Sequence, residues 1–291
     1  MADKRIISLS IEGTTLRILT FTKGSVEAWN SVPLDPKFLA MGHVVDPQGL
    51  GGVIKNALEG RDSLTGRVVC ALPGLRTMSR LISVPKVGKK ELPEVISREV
   101  RRLMAVSEAD NYLHWQSIPA ETDLMRFFVL AVPKEPLHAL MEALREAGLK
   151  PRAIDLKPLA LMRAVNKKDA IIANGESNSV ELVIVVDDVP TLMRSVFLGE
   201  GVVSQDYAVS RISDELGRTI AFYNDTNPDN PLDPEVPVYL TGAAASGVSF
   251  ALNVTALIGR PVQPLDPPLP YPENFPVAEF MVNLGLILKL L

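Results

Sequence analysis

The sequence predicts an α/β fold that is built from two related lobes. Strand-like segments alternate with amphipathic helical segments along most of the 291 residues, which is typical of the α/β class. In addition, the pattern of strand, polar turn, strand, turn and strand at residues 6–34 recurs at residues 170–198 without gaps, with most apolar positions in phase. A unit that recurs within one chain indicates lobes built around similar sheets, although two unrelated meanders would also give this pattern.

The composition indicates a folded globular chain. Apolar residues make up 47% and charged residues 22% of the sequence, and the formal net charge of −4 disfavours a protein dedicated to nucleic acid. No apolar run is long enough to span a bilayer, and the alternating N-terminus is not typical of a signal peptide. The single cysteine, Cys70, excludes an internal disulfide and favours the cytosol, and the three scattered histidines predict no metal site.

The first half of the chain is predicted to open with a three-strand meander over residues 5–34. Alternating strands and helices follow. The predicted segments are a helix at 49–60, strands at 65–74 and 79–85, a helix at 89–106, strands at 111–119 and 124–133, a helix at 135–148, a strand at 151–156 and a helix at 158–165. Pro93 is compatible with its helix because it lies in the first turn, and Gly148 is a typical helix end.

The second half begins with the repeated meander at residues 170–198. A helix at 210–223 and a buried strand at 236–241 are predicted next, and the strand opens into a turn of glycine and alanine. A helix at 247–259 leads into the Pro-rich stretch 260–276, which is expected to cross the surface before an apolar C-terminal helix at 278–291.

Three segments have a distinctive sequence: ALPG at residues 71–74, LISVP at 81–85 and, most specifically, AGLKPRAIDLKPLALMRA at 147–164. They resemble PilM, the actin-like protein family of type IV pilus assembly. The resemblance covers nearly the whole chain. It implies a bilobed actin-like (ribonuclease H-like repeat) fold with the inserted subdomain of the FtsA and PilM branch.

The resemblance also implies domain boundaries. We expect a first lobe at residues 1–63 with 153–169 and the C-terminal helix 276–291, an inserted subdomain at 64–152, and a second lobe at 170–275.

In this family the two polar turns hold the phosphates of ATP, and an Asp in each turn holds Mg²⁺. Here Ser10 stands at the first Asp position, and Asn174, or Ala173 in another register, stands at the second. Glu12 lies nearby, but its charge would repel phosphates. In this family an acidic residue usually precedes the proline that starts the helix after the inserted subdomain. Here Lys157 stands at that position, before Pro158.

Two further departures concern the second lobe. The longer, mostly helical subdomain that closes over the adenine is reduced to one helix and a loop, so we expect a truncated subdomain. The adenosine turn reads Gly242-Ala243 where two glycines are usual. The expected degenerate nucleotide site consists of Ser10, Glu12, Gly13, Thr14, Thr15, Lys157, Asn174, Gly175, Ser177, Gly242 and Ala243.

These departures predict an actin-like scaffold without ATP hydrolysis, so no cofactor and no metal are expected. In the competing interpretation, Glu12, Asn174 and Asp155 hold Mg²⁺ as an unusual set, and ATP gates partner binding or polymerisation. A third interpretation is the related cytoplasmic component of a type II secretion platform.

The resemblance implies a protein partner, the N-terminal cytoplasmic tail of a PilN-like membrane protein, besides other proteins of the pilus platform. The tail would lie in a groove by strand addition, although the same wall residues can be ordinary core. The predicted walls are Leu72, Pro73, Leu75 and Val84.

A basic patch is predicted on the helix at residues 89–106 and the strand before it. It can face anionic headgroups of the inner membrane or be an ordinary solvated surface. Three of its members share one helical face at i, i+3 and i+4 spacing. The patch comprises Arg76, Arg80, Arg98, Arg101 and Arg102.

Overall fold

The computed structural model describes residues 5–59, 67–120, 123–199, 205–245 and 248–291. The chain divides into two compact units. The smaller unit is Arg76–His138, and the larger unit comprises Met1–Leu75 and Ala139–Leu291.

The described residues contain fourteen strands and seven α-helices. The strands are β1 (Ile6–Glu12), β2 (Thr15–Thr22), β3 (Ser25–Pro33), β4 (Leu39–Ala40), β5 (His43–Val44), β6 (Arg67–Leu72), β7 (Met78–Pro85), β8 (Asn111–Ile118), β9 (Leu124–Pro133), β10 (Pro151–Leu156), β11 (Ala170–Gly175), β12 (Ser179–Val186), β13 (Val189–Phe197) and β14 (Val238–Thr241). The helices are α1 (Pro47–Leu58), α2 (Leu92–Met104), α3 (Lys134–Glu146), α4 (Lys157–Val165), α5 (Gln205–Thr226), α6 (Val248–Ile258) and α7 (Val277–Leu290). None of the helices in these ranges is both long enough and apolar enough to cross a bilayer.

The larger unit contains two related sheets. The first-lobe sheet has the order β10-β6-β1-β2-β3, and the second-lobe sheet has the order β13-β12-β11-β14. The meanders β1–β3 and β11–β13 have the same register, since Ser10 faces Arg17 across the first hairpin and Asn174 faces Glu181 across the second. Asn174 follows Ser10 by 164 residues, and Glu181 follows Arg17 by the same number. The predicted internal repeat is therefore confirmed.

One hydrophobic core joins the two sheets through α4 and α7. Buried side chains of β1, β2, β11 and β12 pack together with those of both helices. The helices cross closely at Gly285, where a Cβ would collide with the carbonyl of Ala160. Asn283 is fully buried in the apolar α7, and its amide donates to the carbonyls of Ser8 and Arg17 at 3.1 and 3.2 Å. These bonds fix α7 in one register against the first-lobe sheet.

Two helices cover the outer face of the second-lobe sheet. Helices α5 and α6 cover the sheet face opposite α4, and Ile212, Leu216 and Val254 are buried there. Within the described residues, α5 and a loop make the whole connection that leads into β14. The expected truncation of the second-lobe subdomain matches this arrangement.

The Pro-rich stretch at residues 260–276 differs from the expectation of a surface crossing. Its Leu269 and Phe275 are buried in the shared core, and the Phe275 ring packs edge-on against Trp29 with the centroids 5.2 Å apart. The carbonyl of Pro270 accepts from the N–H of Val26 at 3.0 Å. Apolar residues between the prolines therefore attach this stretch to the first lobe.

The smaller unit is a three-stranded sheet of order β7-β9-β8 with α2 packed on one face. Its limits, Arg76 and His138, are narrower than the predicted insertion at 64–152. The reason is that β6 pairs with β1, and β10 pairs with β6, so both strands belong to the first-lobe sheet. The predicted boundary at residues 63 and 64 lies outside the described residues.

The close crossing of α4 and α7 generates a stability prediction. We expect Gly285→Ala to lower the free energy of unfolding by about 2 kcal/mol, because the added methyl group overlaps the Ala160 carbonyl. Gly52→Ala in α1 is the matched control, because a Cβ there meets no atom within 4 Å. It should gain about 0.5–1 kcal/mol from helix propensity. Urea unfolding checks both, and equal effects at the two sites would contradict the close crossing.

Candidate functional site

The candidate site lies where the β1–β2 and β11–β12 turns face each other. Gly13 has a positive φ of 59°, which its turn requires. A Cβ at Gly13 would lie 2.7 Å from the Oγ of Ser177 in the opposite turn. The two polar turns are therefore in direct contact.

A buried lysine lies at the bottom of the site. Lys157 begins α4, is 4% exposed, and its Nζ donates to Oε2 of Glu12 at 3.3 Å. The Nδ2 of Asn174 donates to the same oxygen at 3.2 Å, and the hydroxyl of Thr241 donates to Oδ1 of Asn174 at 2.8 Å. The ends of β1, β11 and β14 are thus connected to the start of α4 by one polar chain.

A second ion pair crosses between the lobes. The guanidinium of Arg17 on β2 holds both carboxylate oxygens of Glu176, with N–O distances of 2.7 and 3.1 Å. Oε1 of Glu176 also accepts a hydrogen bond from the N–H of Ala243, in the turn after β14, at 3.2 Å. Burial and the charge of Glu12 raise the pKa of Glu176 to about 6, against the opposing effect of Arg17.

A third carboxylate, Glu181, lies in the same polar cluster. It is buried on β12 and accepts a short hydrogen bond from the hydroxyl of Ser195. A Cβ at Gly74 would lie 3.0 Å from Oε2 of Glu181, so the glycine of the ALPG segment allows close approach of the chain. Burial raises the pKa of Glu181 to about 7, although the charge of Lys157 lowers it.

Some of the predicted site residues point elsewhere. The hydroxyl of Ser10 donates to Oδ1 of Asn283 at 2.9 Å, so Ser10 faces α7. Thr14 and Thr15 are half-buried, and the carbonyl of Thr14 accepts from the N–H of Leu34. These residues serve the hairpin and its packing.

The competing Mg²⁺ set is not assembled. Asp155 pairs with Arg163 at 2.9 Å and with Lys289 at 3.3 Å, whereas Glu12 and Asn174 contact each other. Among the described residues, no group of three or more His, Cys, Asp or Glu side chains is arranged to hold a metal ion.

The residues present do not fit a nucleoside triphosphate with its metal. The polar turns touch at Gly13 and Ser177, and a Cβ at Gly242 would lie 2.8 Å from Oε1 of Glu176. The N–H of Ala243 and the guanidinium of Arg17, which are the groups suited to a phosphate, already bind Glu176. The absence of nucleotide binding itself stays a prediction.

Comparison with solved structures establishes the fold. The "PilM-PilN type IV pilus biogenesis complex" matches with a TM-score of 0.79 and 24% identity over 98% of both chains. The cytoplasmic domain of EpsL, an inner membrane component of the type II secretion system of Vibrio cholerae, matches with a TM-score of 0.57, 12% identity and coverage of 98% and 95%. A Bacteroides thetaiotaomicron protein with an actin-like ATPase fold matches with a TM-score of 0.53, 11% identity and coverage of 98% and 96%.

No family model matches the sequence, and no curated protein sequence matches it. The structural likenesses confirm the bilobed actin-like fold that the sequence resemblance implied.

The predicted groove walls are largely core residues. Leu72 is 3% exposed at the end of β6, and Pro73 beside it is also buried. Val84 is fully buried under α2 in the core of the smaller unit. Leu72 lies on a buried face of β6 and Val84 on the core face of β7, so the expectation that these two residues and Pro73 line a surface groove is corrected. Leu75 is half-buried and remains a candidate wall.

The predicted basic patch is exposed in the smaller unit. Arg98, Arg101 and Arg102 extend from the solvent face of α2, and Arg102 pairs with Glu99 at 2.6 Å. The guanidinium of Arg80 donates to the last turn of the helix, at the carbonyl of Leu103. Arg76 lies 3.4 Å from Glu135, and contact of this patch with a membrane stays a prediction.

Four residues of the polar cluster are not indicated by the pattern of any single segment: Arg17, Glu176, Glu181 and Thr241. A signal for three of them was present in the repeat. The offset of 164 residues aligns Glu12 with Glu176 and Arg17 with Glu181, so charged residues recur at the same two positions of each apolar hairpin. A charge that recurs within a buried strand indicates a buried partner.

The ion pair between the lobes generates a second prediction. We expect Arg17→Met to lower the free energy of unfolding by about 3–5 kcal/mol, because Glu176 is left buried without its cation. Arg5→Met is the control, since Arg5 and Glu27 form a partly exposed pair whose loss costs under about 1 kcal/mol. Guanidinium unfolding measures both, and a loss of less than 1 kcal/mol for Arg17→Met would contradict a strong pair.

The buried Glu181 generates a prediction about pH. Its pKa of about 7 in the folded chain exceeds the ordinary 4.5, so the folded state binds the proton more tightly. Its contribution to stability is complete below about pH 4.5 and is lost as the pH rises towards 7 and beyond. Between pH 5 and pH 8 this loss of stability amounts to about 2.5 kcal/mol, and we expect Glu181→Gln to abolish it.

Thermal unfolding of the wild-type chain and Glu181→Gln across this pH range is the measurement. The two proteins should have similar stability at pH 5, and the variant should be more stable at pH 8. Parallel curves over the whole range would show that Glu181 does not titrate there.

Proposed function

We propose that this chain is a cytoplasmic scaffold of a type IV pilus assembly platform. It binds the N-terminal cytoplasmic tail of a PilN-like inner-membrane protein and does not hydrolyse ATP. The chain is peripheral to the inner membrane through such partners, which include other proteins of the platform.

The observation that carries this proposal is the full-length likeness to the "PilM-PilN type IV pilus biogenesis complex". That structure matches 98% of both chains with a TM-score of 0.79, whereas the type II secretion domain of EpsL gives 0.57. The pilus assignment is therefore favoured over the type II secretion alternative.

The polar cluster supports the absence of ATP hydrolysis. Phosphoryl transfer depends on a metal ion and positioned groups that neutralise the charge developing on the phosphates. Here Lys157 stands beside Glu12, and Arg17 is bound to Glu176. Both cations that could bind phosphates are already paired with carboxylates of the chain itself.

Strand addition remains the proposed mode of tail binding. In this mode main-chain hydrogen bonds give affinity, so the burial of Leu72 and Val84 does not prevent it. We assign the tail to the chain around ALPG in the larger unit, with the half-buried Leu75 as a side-chain contact.

The test is calorimetric titration of the chain with a synthetic peptide of the PilN-like tail, with and without Mg-ATP. A scaffold should bind the peptide with the same dissociation constant in both buffers, and ATP alone should give no heat. Nucleotide gating predicts a change of about fivefold or more, which is a typical coupling between sites. Failure of the peptide to bind in either buffer would reject the partner.

A matched pair of variants tests the binding surface. Leu75→Glu should weaken peptide binding about tenfold or more, because it places a charge in an apolar contact. Leu252→Glu is the control, since Leu252 is an exposed leucine, 65% accessible, on α6 of the second lobe. Equal affinities of the two variants would exclude Leu75 from the surface.

A further inference from the structure

We propose that the Glu176 side chain is a built-in anionic ligand, which occupies an anion-binding site made by Arg17 and the N–H of Ala243 and thereby holds the two lobes together. Lys157 is the built-in cation of the same cluster: its Nζ donates to Oε2 of Glu12, and Asn174 donates to that same oxygen. This inference deepens the part of the proposed function that concerns nucleotide, and it does not depend on the partner.

The contacts of Glu176 have the chemistry of a ligand site. Arg17 binds both carboxylate oxygens through two different nitrogens, which is the forked geometry that suits carboxylates and phosphates. The N–H of Ala243 in a glycine turn adds a backbone donor. The side chains of Arg17 and Glu176 are only 3% and 4% exposed.

The receptor for this anion is held in place independently of Glu176. Arg17 also donates from Nη1 to the carbonyl of Glu279 at 2.8 Å, and its guanidinium lies 6.0 Å from the ring centroid of Phe280. The N–H of Gly242 donates to the carbonyl of Ala278, which fixes the turn that carries Ala243. All of these anchors are on α7, so removal of the Glu176 carboxylate should leave the donors oriented.

The site joins parts of both lobes. Arg17 belongs to β2 of the first-lobe sheet, whereas Glu176 and Ala243 follow β11 and β14 of the second-lobe sheet. An anion held by all these donors therefore closes the gap between the lobes. Because Glu176 is covalently attached, its effective concentration at the site is high, and a free anion competes poorly with it.

The test removes the carboxylate and supplies one from solution. Thermal unfolding of Glu176→Ala is measured in increasing sodium formate, and separately in inorganic phosphate. We expect a saturable rise in Tm of about 2 °C or more with formate, because the vacated site can accept a free carboxylate. Sodium chloride controls for ionic strength, and neutral formamide controls for the filling of the cavity.

Three comparison proteins define the outcome. The wild-type chain and Glu176→Gln should show no rise beyond that in sodium chloride, because their sites remain filled. The double variant Arg17→Ala and Glu176→Ala should also show none, because the site has lost its guanidinium. A saturable rise in the wild-type chain, or an equal rise with formate and formamide in Glu176→Ala, would overturn the proposal.

If Glu176→Ala does not fold in plain buffer, the same titration is read as the yield of folded protein after refolding. Recovery with formate but not with formamide supports the site, and no recovery with formate or phosphate rejects it.

The outcomes separate this inference from the proposed function. No formate effect on Glu176→Ala, with no binding of Mg-ATP to the wild-type chain, would reject the built-in ligand and leave the scaffold standing. Hydrolysis of ATP by the wild-type chain would reject the scaffold whatever formate does. Phosphate in place of formate shows whether the vacated site also takes a larger anion.

Discussion

The ion pair of Arg17 and Glu176 is the interaction on which the arrangement of the two lobes depends. The sheets share a core through α4 and α7, but apolar packing alone is non-directional and tolerates small shifts. A forked pair with N–O distances of 2.7 and 3.1 Å requires one relative position of β2 and the β11–β12 turn. It thereby sets the contact of Gly13 with Ser177.

The internal repeat explains how the chain makes such a pair. Each hairpin carries a glutamate at its turn and a charged residue on its second strand, at positions related by 164 residues. In the first hairpin the second charge is Arg17, and in the second hairpin it is Glu181, so the repeat has the same geometry but different charge. Arg17 of the first lobe therefore forms an ion pair with Glu176 of the second lobe, whereas Glu12 pairs with Lys157. This difference in charge between the repeats gives Glu176 its cationic partner.

The sequence predicts the fold well because the fold depends on local pattern. Strand alternation and the gap-free repeat are enough to place the meanders β1–β3 and β11–β13, whose equal registers are seen in the structure. The site is predicted only in part. Lys157 and Asn174 are found because they depart from a family pattern, but the partner of Arg17 lies 159 residues away and is set by packing of the lobes. The burial of Val84 likewise depends on α2, which no feature of β7 indicates.

A ligand that is part of the chain limits which free ligands can stabilise the arrangement of the two lobes. A free nucleotide stabilises the closed state only to the extent that its concentration exceeds its dissociation constant. A tethered carboxylate acts at every nucleotide concentration, and a ligand that does not bind cannot change the arrangement of the lobes. On this argument the first-lobe surface proposed to accept a partner is presented constantly, and the protons taken up by Glu181 and Glu176 are the small ligands left to change the stability of the cluster near neutral pH.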